Sequence, residues 1–134
     1  MSDPAQPFVP LGPWEQCTKA GRLLISARRL MALNALLDTP DGRTSSLAEW
    51  QSLVSRYGET LHPDTAHQIP PSWVRLVPLG RRWGVVLEVR GRQILSGMVP
   101  LHVRGHGPIE RIGDWVGRNN LKRRMGPQEG GQGK

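Results

Sequence analysis

The chain has few of the residues on which several large protein classes depend. Cys17 is the only cysteine among its 134 residues, and Phe and Tyr occur once each. A single cysteine excludes an internal disulfide and a cysteine-based metal site. No glycine-rich phosphate loop follows a predicted strand. We therefore expect no metal and no cofactor.

Long apolar runs are also missing. No stretch approaches the roughly 20 apolar residues that cross a bilayer. The opening segment, MSDPAQPFVP, carries an acid and no basic residue before its apolar part, which is not typical of a signal peptide. We expect no membrane segment and a cytoplasmic protein.

Acidic residues are scarce in the second half of the chain. Residues 1–73 hold six basic and seven acidic side chains, whereas residues 74–134 hold twelve and four. Nearly all of the net charge of +7 therefore belongs to the second half. Such a field attracts nucleic acids, acidic surfaces or small anions, and it does not choose among them. Most of the basic residues are arginines, and a GC-rich genome also produces that composition.

The chain length fits one domain. We expect a flexible, proline-rich arm over residues 1–12, a single α+β domain over residues 13–121 and a disordered, basic, glycine-rich tail over residues 122–134. The sequence does not indicate the oligomeric state.

Helical patterns dominate the first half. Apolar spacing predicts a helix from Pro13 to about Leu37. Ser46 and Glu49 have the spacing of a capping box, which predicts that a second helix begins there. The prolines of residues 62–72 favour a loop.

The second half changes to strand-like alternation. Residues 73–79, 82–90 and 95–103 predict three consecutive antiparallel strands, with Gly91 in a tight turn. Residues 107–121 read as a short helix with Pro108 in its first turn. The predicted fold class is thus α+β, with two N-terminal helices packed on a small antiparallel sheet of at least three strands, followed by a short helix.

Arg75 lies among apolar residues in the strand segment PSWVRLVPLG. A buried guanidinium is costly unless acceptors meet it, because it cannot lose its charge. One class of partner is the carboxylate of a ligand. The other is a structural acid from the first half: Glu49, Glu59 or Asp64. Alternation groups Glu88 with Arg82 and Arg90, as a surface or cross-strand partner.

Five tryptophans stand against the single Phe and Tyr. Trp50 and Trp115 lie on predicted apolar helix faces and are expected in the core. Trp73 and Trp83 lie on strands, where they either join the core or line a pocket for an aromatic ring.

Four segments, in order over about residues 30–121, resemble the chorismate lyases, small α+β enzymes that make 4-hydroxybenzoate for ubiquinone biosynthesis. These segments are LLDTPDGRTSSLAEW, SWVRLVPL, MVPLHV and IERIGDWVGRNNL. The resemblance implies that Arg75 binds a substrate carboxylate, that Leu47 faces the substrate and that Val116 closes over it. It also implies a lyase that converts chorismate to 4-hydroxybenzoate and pyruvate. The family's closing strands, with their catalytic glutamate, have no counterpart in residues 122–134, so the chain is expected to bind a small anionic metabolite with or without turnover.

The basic second half supports an alternative function, nucleic-acid binding by an accessory protein. Residues 112–117 resemble the first helix and turn of a helix-turn-helix, and basic residues follow them. In this hypothesis the phosphate contacts are made by Arg118, Lys122, Arg123 and Arg124. The other interpretation is an ordinary packing helix with a solvated basic end.

Overall fold

A computed structural model describes Gly12 and residues 15–118. The predicted tail and nearly all of the predicted arm lie outside these residues. Six strands, four helices and two short 3-10 turns follow one another along the chain, and residues 112–118 form a further helix, α5. In chain order the elements are β1 Leu23–Ile25, α1 Ala27–Ala35, the 3-10 turns Leu36–Asp38 and Pro40–Gly42, β2 Arg43–Thr44, α2 Leu47–Ser55, α3 Pro63–Gln68, β3 Val74–Leu79, β4 Arg82–Leu87, α4 Val89–Leu95, β5 Leu101–Val103 and β6 Gly107–Ile109.

The strands form two three-stranded sheets. The order in the first is β1-β5-β6, with β1 parallel and β6 antiparallel to β5. The second is fully antiparallel, in the order β2-β4-β3. One cluster of buried apolar side chains runs from β1 to α5 and includes both sheets and the helices. The α+β class predicted from the sequence is confirmed.

Two predicted elements form as expected. The Ser46 hydroxyl accepts a hydrogen bond from the backbone N–H of Glu49 and so begins α2. The Glu49 carboxylate accepts from the backbone N–H and the hydroxyl of Ser45, one residue earlier than a standard capping box. Strands β3 and β4 pair in a hairpin across Gly80, whose φ of +64° suits a tight turn.

The predicted first helix is wrong over its first half. Pro13 lies outside the described residues, Gly21 has a φ of +80°, and Leu23–Ile25 form a strand. The helix begins only at Ala27, with Ser26 as its N-cap. The apolar run Leu23–Ile25 fits a buried strand as well as a helix, and its pairing with β5 decides between them. The supposed apolar position Leu37 is half exposed.

The loop predicted over residues 62–72 contains α3. Pro63 occupies a first-turn position, where its missing N–H costs nothing, and the His62 ring Nδ1 accepts from the Asp64 N–H. The prolines that forbid a helix interior, Pro70 and Pro71, come after this helix.

The predicted third consecutive strand is also wrong. The chain leaves β4 directly into α4, and Gly91 lies inside this helix rather than in a turn. The strand that follows, β5, joins the other sheet. Pro108 lies in β6, not in the first turn of a helix, because Pro108 pairs with His102 of β5. The last helix begins three residues after β6, at Ile112.

No helix in the described part of the chain is both long and apolar enough to cross a membrane.

Candidate functional site

Arg75 lies on the exposed face of β3 rather than in the core. Its side chain is 56% exposed, and its Nε donates to Glu88 Oε2 at 2.5 Å. The alternation pattern predicts an apolar strand face for Arg75, with a first-half acid or a ligand as its partner. The structure instead provides Glu88, which lies just after the paired strand β4. This contact supplies the charge compensation that Arg75 needs.

A cleft of about 510 Å³ opens beside this ion pair. Its lining consists of Pro71, Ser72, Arg75, Glu88, Val89, Arg90 and Gln93. The Ser72 hydroxyl oxygen is buried and has no hydrogen-bond partner among the described residues. Arg90 is already engaged, because it donates two hydrogen bonds to the Glu15 carboxylate, at 3.1 and 2.8 Å. The cleft therefore presents the exposed guanidinium of Arg75, paired with Glu88, and lies beside the buried Ser72 hydroxyl.

The other two residues implied by the family resemblance do not line this cleft. Leu47 is the first residue of α2 and packs, partly buried, against the core. Val116 is buried in α5. The structure brings neither to the cleft beside Arg75.

The outer face of the β2-β4-β3 sheet carries arginines around an apolar centre. Directly opposed residues of antiparallel strands share a face, so Arg43, Val86 and Arg75 form one row across the sheet. Leu79 and Arg82 form another row near the hairpin turn. The opposite face is covered, since Val74, Val85 and Leu87 are buried in the core.

The hairpin tip, residues 79–83 (LGRRW), is the most chemically distinctive part of this surface. Arg81 and Arg82 are exposed, and neither forms a hydrogen bond or ion pair with another described residue. Leu79 and Trp83 are 48% and 42% exposed. Two exposed cations without a salt bridge in the described residues and two large, partly exposed apolar side chains therefore share one turn.

Trp83 points to the other side of the hairpin from Arg82, because neighbouring residues of a strand alternate. Its indole meets the imidazole of His67 from α3 edge to face, with ring centroids 5.6 Å apart. Pro78, its cross-strand neighbour, is exposed. The indole of Trp83 is held in place by its neighbours and remains open to solvent.

Several other arginines are neutralised or used structurally. Arg22 bonds Glu110 and the Leu101 carbonyl. Arg92 donates to the Asp41 carbonyl, and Arg104 donates to the Gln16 side chain. Arg22, Arg92 and Arg104 are thus held by contacts within the domain. Arg81 and Arg82 of the hairpin tip form no comparable hydrogen bond or salt bridge with the described residues.

Glu49, on the exposed side of α2, is close enough to Arg82 to feel its positive charge. Hydrogen bonds from Ser45 hold the pKa of the Glu49 carboxyl below its usual value, and the positive charge of Arg82 contributes in the same direction. Glu49 is thus ionised at neutral pH, and its Oε1 accepts both hydrogen bonds from Ser45.

The sequence-based nucleic-acid residues cannot all be placed. Arg118 lines a cleft that also contains the acids Glu110 and Asp114, so its local field is mixed. Lys122, Arg123 and Arg124 lie outside the described residues. The segment 112–118 is helical and buries Trp115 and Val116, as a packing helix does.

The described residues bring together no group of three or more His, Cys, Asp and Glu side chains that could hold a metal ion. Comparison with known proteins finds no matching family model, no similar curated protein and no similar solved structure.

Sequence reasoning missed the hairpin tip. The signal was present in the letters LGRRW, in which a turn glycine stands beside two arginines and a tryptophan. Alternation alone places Trp83 on the same strand face as Val85 and Leu87. It does not show that the core covers those two residues and leaves Trp83, nearer the hairpin turn, partly exposed.

Proposed function

We propose that this protein binds nucleic acid, with the hairpin tip and the adjoining outer sheet face as its contact surface. The single observation that carries the proposal is the pair Arg81 and Arg82, which are exposed at the tip and form no salt bridge or hydrogen bond with another residue in the described part of the chain. Protruding arginines of this kind neutralise phosphates and release counterions.

The surrounding surface supports the same partner. Arg43, which forms no ion pair with any residue that the structure describes, adds a third arginine, and Arg75 lies in the same row of the outer face. Residues 74–88 hold three basic side chains and one acid, Glu88. The strongly basic composition extends this field over the second half of the chain. In this proposal the protein is a cytoplasmic accessory factor without catalytic activity.

The test is a titration of labelled oligonucleotides with the full chain at several salt concentrations. Affinity should fall steeply as salt rises. The double variant Arg81→Ala, Arg82→Ala should bind at least about tenfold more weakly, and its log–log salt slope should be shallower by about 1.4 for a single strand. The change in slope follows because two phosphate contacts are lost and each contributes about 0.7 to the slope for a single strand.

The matched control is Lys19→Ala, Arg56→Ala, which removes the same charge from exposed positions in the first half of the chain. This control should bind nearly as well as the wild type. Equal losses in the two double variants would show that only net charge matters and would contradict a role for the hairpin tip. Binding that is insensitive to salt would contradict the whole proposal.

A second candidate function is binding of a small anionic metabolite in the cleft beside Arg75. The observation that favours it is the buried Ser72 hydroxyl without a hydrogen-bond partner in the described residues, in the same cleft as Arg75. A ligand carboxylate would replace Glu88 as the partner of Arg75, since a guanidinium binds carboxylates with paired hydrogen bonds. The resemblance to chorismate lyases suggests chorismate and 4-hydroxybenzoate as the ligands to test. The more specific version of this proposal is that the protein also converts chorismate to 4-hydroxybenzoate and pyruvate.

Thermal unfolding with each probe tests this candidate. Binding stabilises the folded state by RT ln(1 + L/Kd), where L is the free ligand concentration, so the melting temperature should keep rising with the logarithm of ligand concentration above Kd, and Arg75→Ala should abolish the rise. The absence of any shift at millimolar chorismate and 4-hydroxybenzoate would eliminate it.

A further inference from the structure

Trp83 is unusual among the described tryptophans. Trp50, Trp73 and Trp115 are buried, and their indole N–H groups donate to the Ala32 carbonyl, the Glu15 carboxylate and the His106 ring. Trp83 is 42% exposed. A large part of its apolar ring surface therefore stays exposed to solvent at the hairpin turn and is not buried in the core of the domain.

The exposed indole shares its turn with two cations. Arg81 and Arg82 immediately precede Trp83 in the chain, and the side chain of Arg82 points to the opposite side of the hairpin from the indole. A turn that presents an aromatic plane on one side and arginines on the other side and at its tip matches a ligand with flat rings and a negative backbone that wraps around it. Single-stranded nucleic acid has that pattern, because its bases can leave their neighbours and stack on an aromatic side chain while its phosphates meet arginines. A duplex keeps its bases paired and presents mainly phosphates to such a surface.

The ring is also held in place for stacking. The edge-to-face contact with His67 restrains the indole. A restrained ring loses less conformational entropy on binding than a free one. His67 is itself exposed on α3 and extends the aromatic surface beside Trp83.

We propose that the hairpin tip is selective for single-stranded over double-stranded nucleic acid, with Trp83 stacking on an unpaired base and Arg81 and Arg82 holding the flanking phosphates. This inference rests on the proposed function, and it adds the class of nucleic acid and the residue that distinguishes it. RNA and DNA share the required chemistry.

The experiment measures affinity of the full chain for four probes at fixed, low salt. The first two are a 12-nucleotide single-stranded RNA and the DNA of the same sequence. The third is that DNA as a duplex, and the fourth is heparin, which has the charge but no bases. The proteins are the wild type, Trp83→Ala, Trp83→Phe and the control Met98→Ala, which removes another exposed apolar side chain.

We expect tighter binding to both single strands than to the duplex. Trp83→Ala should weaken single-strand binding by roughly 5- to 150-fold, the range for loss of one stacked base. Trp83→Phe should retain much of the affinity, and Met98→Ala all of it. Heparin binding should be the same in all four proteins. Single strands should also quench wild-type tryptophan fluorescence more than they quench Trp83→Phe fluorescence. RNA and DNA affinities then show which sugar the surface prefers.

Two outcomes separate the inference from the proposed function. Equal affinity for single strand and duplex, with no effect of Trp83→Ala, would overturn the stacking role while leaving nucleic-acid binding intact. No binding of any oligonucleotide would overturn both. A loss of heparin affinity in Trp83→Ala would show that the substitution disturbs the hairpin itself, and this too would count against a role specific to bases.

Discussion

At the scale of single residues, Tyr57 links the end of α2 to the 3-10 turn that follows α1. Its hydroxyl donates to Asp38 Oδ2 at 2.7 Å. Partial burial, followed by the hydrogen bond and the negative charge of Asp38, raises the pKa of Tyr57 to about 12. The folded protein therefore keeps a proton that the unfolded chain releases near pH 10.

The raised pKa has a definite consequence for stability. The contribution of Tyr57 is complete below about pH 10 and is lost as pH rises from about 10 to 12, since the unfolded state then binds fewer protons. Urea unfolding at pH 9 and pH 11 should show a larger loss for the wild type than for Tyr57→Phe, by about 1 kcal/mol after allowance for solvent screening. Parallel losses in the two proteins would contradict the assignment.

At the scale of elements, α4 depends on a close approach that only glycine permits. A Cβ atom at Gly91 would lie 2.4 Å from the Trp73 carbonyl oxygen and 2.7 Å from a methyl group of Leu87. The same carbonyl accepts a hydrogen bond from the Glu88 N–H, at the start of the helix. The chain can therefore turn from β4 straight into α4 against residue 73.

Gly91→Ala should destabilise the protein by about 2 kcal/mol, although alanine favours a helix by about 1 kcal/mol over glycine. Overpacking against the backbone outweighs the gain in helix propensity. Gly113→Ala is the matched control, because a Cβ there meets nothing within 4 Å. Denaturant midpoints of the two variants should move in opposite directions or, for Gly113→Ala, stay unchanged. A stabilised Gly91→Ala protein would contradict the packing argument.

At the scale of the whole molecule, the predicted features are those that local sequence determines. The hairpin β3–β4 and the start of α2 follow from alternation, a turn glycine and a cap, all within a few residues. The missed features depend on distant partners. Leu23–Ile25 forms a strand because it pairs with β5. Residues 89–95 form a helix that packs closely against the Trp73 backbone, which requires glycine at position 91. Arg75 was placed on a strand correctly, but which sheet face is covered depends on the packing of all the helices.

The parallel pairing of β1 with β5 means that β1 cannot complete its sheet until the chain has been synthesised as far as β5. Arg22, beside β1, bonds the carbonyl of Leu101, 79 positions later. At about 5–20 residues per second, synthesis takes roughly 4 to 16 seconds to cover that distance. During this interval the apolar segment Leu23–Ile25 cannot yet pair with β5 and must wait for it. Contacts of such long range also slow folding after release.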